Sequence, residues 1–254
     1  MNENDARPGP RDVPGRRLSS LSCLRYPATS GLLRPIIIGS FGLSLWQSSQ
    51  SLFRLFPQLP AYAARTVQAL AGLSGFMVLL VTPGMLAGLI SGTAKGNGSG
   101  LSGMEISGKM ETVVKDSLKA AAIFLWSFLP LEIYLALAVK GGGAPSYGLV
   151  GVLVLLGLGY FPMALLMLAV SGRTLPSLLV SNVLEPAART AGSYAGFLFP
   201  FWTLMLLPLA GLQLWPVPFI GPWAACFILL YSWSCAMKLL GEFYLLNKDT
   251  IGKP

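Results

Sequence analysis

Apolar positions along this chain gather into runs of about 20 residues, the length that carries an α-helix across a hydrocarbon core of roughly 30 Å. Five runs, at 67–90, 120–139, 149–170, 194–212 and 219–240, hold no Lys or Arg until their edges. Within 149–170 every helical face is apolar, so the strict alternation that a membrane strand needs is missing and helices are predicted. A weaker run lies at 35–53. Pro35 suits a first helical turn and 36–46 is apolar, but Gln47-Ser48-Ser49-Gln50-Ser51 dilutes the remainder of the run before Phe53.

Charge decides whether that run crosses. If 35–53 spans, fifteen of the eighteen Lys and Arg fall on one side, leaving Arg54, Arg65 and Lys140 on the other. Without it the two sides hold nine each, a balance that gives the insertion machinery no orientation. The expected fold is therefore an all-α polytopic transmembrane bundle of about six spans, near 35–53, 67–90, 120–139, 149–170, 194–212 and 219–240, with both termini cytoplasmic. Residues 1–34, rich in Pro, Gly, Ser and Arg, read as a disordered basic tail, and 241–254 as a short cytoplasmic tail. Arg16-Arg17 is followed by no apolar region of the length that a cleaved signal requires, so the tail reads as retained.

Two cytoplasmic segments are amphipathic. Met110, Val113, Val114, Leu118 and Ala121 share a face before the third span, and Leu175, Leu178, Leu179 and Val183 do so before the fifth. Each reads either as a helix lying on the headgroups or as a juxtamembrane extension of its span. The order surface helix, span, short loop, span then occurs twice, at 110–170 and 175–240, which an ancestral duplication would explain.

Composition narrows the chemistry. The chain is 54% apolar and 11% charged, contains no histidine, and carries a formal charge of +8. Mechanisms that need imidazole are excluded, and no span holds the aspartate pair of an intramembrane aspartyl enzyme, so the protein reads as non-enzymatic, with no cofactor. Cys23, Cys226 and Cys235 make neither a metal-ligand spacing nor a disulfide framework, so no metal is expected. The basic residues flank spans, where the bilayer's anionic headgroups rather than nucleic acid are the partner. The run Gly103-Met104-Glu105-Ile106-Ser107-Gly108-Lys109 matches seven positions of a phosphate-binding loop, but Met110 stands where a Mg²⁺-binding hydroxyl belongs; 92–109 reads as a flexible linker.

Glu132 is the only acidic residue inside a span. A charge there costs roughly 3 kcal/mol on insertion scales, so it either marks a polar pathway or serves a bent helix next to Pro130. Prolines at 83, 130, 162, 200, 208 and 222 kink the spans, and a midplane cavity opened by them could use Glu132, Tyr160 and Thr203 as polar handles. Gly84, Gly88 and Gly92, with Gly192 and Gly196, have the spacing that lets helices approach closely, within the monomer or across a homo-oligomer seam.

The segment Tyr160-Phe161-Pro162-Met163-Ala164-Leu165-Leu166, the stretch 175–186 and the closing Lys238-Leu239-Leu240-Gly241-Glu242-Phe243-Tyr244 resemble uncharacterised polytopic membrane proteins common in planctomycete bacteria. The resemblance runs over 26–252 in the order of elements and implies a six-span bacterial inner-membrane protein; it carries no catalytic residues across. The glycine-rich loop at 92–108 departs from that group. Three functions remain: a membrane scaffold or accessory subunit with a membrane-protein partner; a small-solute permease or channel built on Glu132; and a lipid-modifying enzyme, which rests only on the amphipathic helices at the headgroups. Reporter fusions test the topology. Green fluorescent protein joined to either end should fluoresce, and alkaline phosphatase inserted after Lys140 should be active; activity at either end instead contradicts the charge count.

Overall fold

A computed structural model of the chain describes residues 20–55, 61–94, 110–141, 144–218 and 220–251. The described residues form nine α-helices: α1 (Ser20–Thr29), α2 (Leu33–Leu55), α3 (Ala61–Ala94), α4 (Met110–Lys140), α5 (Tyr147–Ser171), α6 (Thr174–Leu178), α7 (Val180–Arg189), α8 (Ala191–Gly211) and α9 (Ile220–Ile251). No strand occurs among them, and the protein is an all-α bundle embedded in a membrane. The phosphate-loop-like run at 103–109 lies outside the described residues.

Five helices, α3, α4, α5, α8 and α9, are long and apolar enough to cross a bilayer. A sixth crossing exists only if the bent pair 23–29 and 33–45 counts as one, its halves meeting at 90°. The expected span at 35–53 lies within α2, which reaches the length and apolarity of a crossing only together with α1. Its helix begins at Leu33, and the Gln and Ser residues after Trp46 end its apolar part. Gly31 adopts the left-handed region (φ +74°), which a residue without Cβ reaches at no steric cost, and there the chain turns from α1 into α2.

α9 is the axis of the bundle. It packs against α2, α3 and α8, and 61% of its most apolar window is buried, against 11% for the same measure in α4. Consecutive long helices are antiparallel neighbours, α2 with α3, α3 with α4, α4 with α5 and α8 with α9. Side-chain packing is densest at the end where α1, the start of α4 and the end of α9 meet. Eight successive residues of α5, from Phe161 to Leu168, are buried on every face there, whereas Leu149, Val152, Leu155 and Leu156 at its start are exposed. The dense end carries Arg25, Arg34, Lys115, Lys119, Arg173, Arg189, Lys238 and Lys248, while Arg65 and Lys140 lie at the other; we call it the basic end.

Of the expected tails, residues 1–19 and 252–254 lie outside the described residues, and the described parts are mostly helical. Residues 20–29 are helical and α1 packs on α9, burying Cys23 and Tyr26. Residues 241–251 continue α9 as helix, with Gly241, Phe243 and Tyr244 buried. Of the two amphipathic segments, 110–121 is simply the start of α4, so only the second forms separate short helices, α6 and α7.

Proline kinks set the close contacts. Pro162 has no amide to offer the Leu158 carbonyl four residues back, and the indole Nε1 of Trp202 donates to that carbonyl at 3.0 Å. The Tyr194 hydroxyl donates to the next carbonyl, Gly159. Beside Pro83, the Gly84 amide donates to the buried Ser117 Oγ at 2.7 Å. An aromatic chain ties four helices together: Phe243 to Phe197 (4.8 Å between ring centroids), Phe197 to Phe201 (5.3 Å), Phe201 to Trp202 (5.4 Å), Trp202 to Phe161 (6.1 Å) and Phe161 to Phe124 (5.6 Å).

The glycine expectations divide. A Cβ on Gly84 would sit 2.2 Å from the Val113 carbonyl oxygen, so this glycine permits α3 and α4 to touch. Gly88 and Gly92 lie half-buried on α3, and the Gly88 carbonyl accepts from Ser91 Oγ at 3.0 Å. Gly192 and Gly196 are exposed with nothing within 4 Å of an added Cβ, so they are not packing positions within the monomer. Gly241, absent from the expected set, is one: its Cβ would meet Thr93 Cβ at 2.6 Å. Gly84→Ala should therefore destabilise by about 1–3 kcal/mol, the range for overpacking, while Gly196→Ala stays within about 0.5 kcal/mol. Thermal unfolding in mild detergent reads both; equal midpoints would contradict the packing of α3 on α4.

Candidate functional site

The three polar handles expected at a midplane cavity do not come together. Tyr160 turns from α5 toward the basic end, where its hydroxyl donates to the carbonyls of Leu178 (3.1 Å) and Ser177 (3.4 Å), tethering α6 to the bundle. Thr203 is exposed on α8, its Oγ1 donating to the Phe199 carbonyl of its own helix at 2.8 Å. Glu132 is exposed on α4, with no hydrogen bond or ion pair among the described residues. Trp202 and Phe161 occupy the volume that the Pro162 kink would have opened.

Glu132 is the distinctive feature of the outward surface. It stands seven residues before Val139, about 10 Å along the axis from the end of the apolar stretch, further than a short carboxylate side chain extends. Leu125, Glu132, Ala136 and Val139 are exposed on the same face, with Leu129 half-exposed between them. Their spacing of three, four and seven residues is that of a seam able to receive another helix.

Two cavities flank the bundle, and Glu132 lines neither. One of about 470 Å³ lies between α2, α3 and α9 at the end away from the basic side chains, among Phe41, Leu45, Val67, Ala71, Ile220 and Trp223. Ser44 also lines it, but its hydroxyl donates to the Phe41 carbonyl of its own helix at 2.9 Å, which leaves the wall apolar. The other, of about 640 Å³, is polar and sits at the basic end beneath α6 and α7.

A charged cluster not anticipated from the sequence fastens α1 to α9. Lys238 and Glu242, one turn apart on α9, pair at 3.4 Å with side chains 16% and 24% exposed. The Cys23 thiol donates to Glu242 Oε2 at 3.2 Å, the Lys238 ammonium lies 4.0 Å from the Tyr26 ring centroid, and the Tyr231 hydroxyl donates to the Leu24 carbonyl. The helical spacing of Cys23 and Tyr26 and the i, i+4 spacing of Lys238 and Glu242 are both visible in the sequence. Only their meeting is not. Cys226 and Cys235 are free thiols buried in α9, and no group of side chains suited to a metal occurs among the described residues.

No family model, no curated protein and no solved structure matches this chain. The site is therefore read from its own geometry. In a variant whose only cysteine is Cys23, the thiol should react slowly with maleimide. Glu242→Gln should speed that reaction about tenfold, the factor expected for one lost charge-assisted bond. An unchanged rate would mean that packing alone holds α1.

Proposed function

We propose that this chain is a multi-pass, non-enzymatic subunit of a complex in a bacterial inner membrane, and that the outer face of α4 receives a transmembrane helix of its partner. The observation that carries this reading is Glu132, exposed about 10 Å inside the apolar stretch without a partner among the described residues. Left facing lipid, an ionised carboxylate costs roughly 3 kcal/mol. A neighbouring span that offers a Lys, an Arg or a hydroxyl donor removes much of that cost and fixes the register of the two helices.

A second copy of this chain offers no basic complement, because its spans carry no Lys or Arg away from their edges, and would have only hydroxyls such as that of Thr203 to present. α4 suits the role mechanically. It is the least buried of the five apolar helices, so its outer face is available, while Gly84 and the aromatic chain hold its inner face rigid. The lack of histidine and of paired carboxylates in the spans supports a non-catalytic role, and the concentration of basic residues at one end supports a cytoplasmic location for that end.

A photo-crosslinking amino acid at Val139 or Leu125 of the full-length protein, irradiated in native membranes, tests the docking face. The expected result is one discrete adduct whose partner carries a basic or hydroxyl residue in a span, reduced at least about tenfold by Glu132→Leu. The same probe at Leu155 on α5 should give none. An adduct that survives Glu132→Leu undiminished, or equal adducts from both helices, contradicts the proposal.

A further inference from the structure

The polar cavity at the basic end has a use that the docking face does not explain. It is walled by Ser171 at the end of α5, Arg173 in the following turn, Asn182, Glu185 and Arg189 on α7, and Tyr244 on α9. Gly172 makes the turn possible: its left-handed conformation (φ +68°) ends α5, with its amide donating to the Leu168 carbonyl at 2.8 Å. The Ser177 hydroxyl holds the Arg173 carbonyl at 2.8 Å, which anchors the backbone that presents the Arg173 side chain.

The charges in the cavity do not cancel. Arg189 is paired with Glu185 on the same helix, but the Arg173 guanidinium has no carboxylate partner among the described residues. An unpaired planar guanidinium lining the same cavity as a second arginine, an amide and hydroxyl groups is suited to a phosphate oxyanion. The opposite face of α7 explains how such an anion would arrive. Leu179, Val180 and Leu184 are each more than half exposed, while Asn182, Glu185 and Arg189 turn to the cavity. A helix so divided lies at the boundary between acyl chains and headgroups, and the cavity sits on its polar side at that depth.

We infer that this cavity binds the phosphate group of an anionic ligand, supplied either by a phospholipid of the adjoining leaflet or by a free phosphate, with Arg173 as the principal contact and Arg189 as the second. In the lipid case the acyl chains run along Leu179, Val180 and Leu184. The inference stands independently of the docking face on α4.

Purified full-length protein in a nonionic detergent is titrated with phosphatidylglycerol, with diacylglycerol of the same chains, and with inorganic phosphate, and binding is followed by native mass spectrometry and thermal unfolding. Phosphatidylglycerol should bind and raise the unfolding midpoint, and diacylglycerol should do neither. Arg173→Gln, which removes an exposed side chain and leaves packing intact, should weaken binding about tenfold, with Arg173→Gln/Arg189→Gln weaker still. Lys115→Gln, which removes a charge at the same end outside the cavity, should leave binding unchanged. If inorganic phosphate binds as tightly as the lipid, the site holds and its ligand is the soluble anion. Equal binding by wild type and the double variant, equal losses in Lys115→Gln and Arg173→Gln, or equal binding of diacylglycerol would overturn the inference.

Discussion

In hydrocarbon a backbone carbonyl or amide without a partner costs several kcal/mol, and prolines placed inside membrane helices free such groups repeatedly along this chain. Satisfying them organises the bundle. The carbonyl freed by Pro162 is taken by the Trp202 indole, its neighbour by the Tyr194 hydroxyl, and the amide after Pro83 by the Ser117 hydroxyl. Each donor or acceptor comes from a different helix, so kinks that would weaken isolated helices become the points at which α3 meets α4 and α5 meets α8. Trp202 and Tyr194 also belong to the aromatic network that joins α8 to α5 and α9, so polar satisfaction and apolar packing act on the same side chains.

The same constraint produces the unequal density of the two ends. Hydrogen bonds between helices and the buried stretch of α5 gather toward the basic end, where α1, α6 and α7 add a further layer. Away from it the helices present Leu135, Leu137, Val139, Leu155 and Leu206 outward. Next to the Pro162 kink the rings of Phe161 and Trp202 lie against each other, and the apolar flanks away from the basic end remain open.

Much of this was legible in the sequence because lipid imposes a length on apolar runs, and five of the expected spans are helices of the required kind. The features that escaped were decided by contacts between distant segments. Residues 20–29 carry too little apolar surface to order alone, and they become a helix because Cys23 and Tyr26 find Glu242 and Lys238 more than 200 positions away. In the expected C-terminal tail, Phe243 and Tyr244 are buried and the chain continues as the last turns of α9. Glycine spacing identified candidate packing faces but not which of them are used: Gly84 meets a backbone carbonyl, whereas Gly192 and Gly196 meet nothing among the described residues. Spacing is a property of one helix, and close approach is a property of two.

Glu132 shows how the same limit bears on function. Its depth in the apolar stretch comes from residue counting, but whether it points into the bundle depends on the rotation of α4, and that rotation is set by neighbours. Gly84 brings α3 against Val113 and Ser117, and Phe124 and Phe128 face α5 through Phe161 and Gly157. Glu132 follows Phe128 by one turn and lies at the edge of that inward face, where its side chain is exposed and lines neither cavity described above. That depth and exposure, with no hydrogen bond or ion pair to the side chain among the described residues, are what motivate the proposed docking of a partner helix.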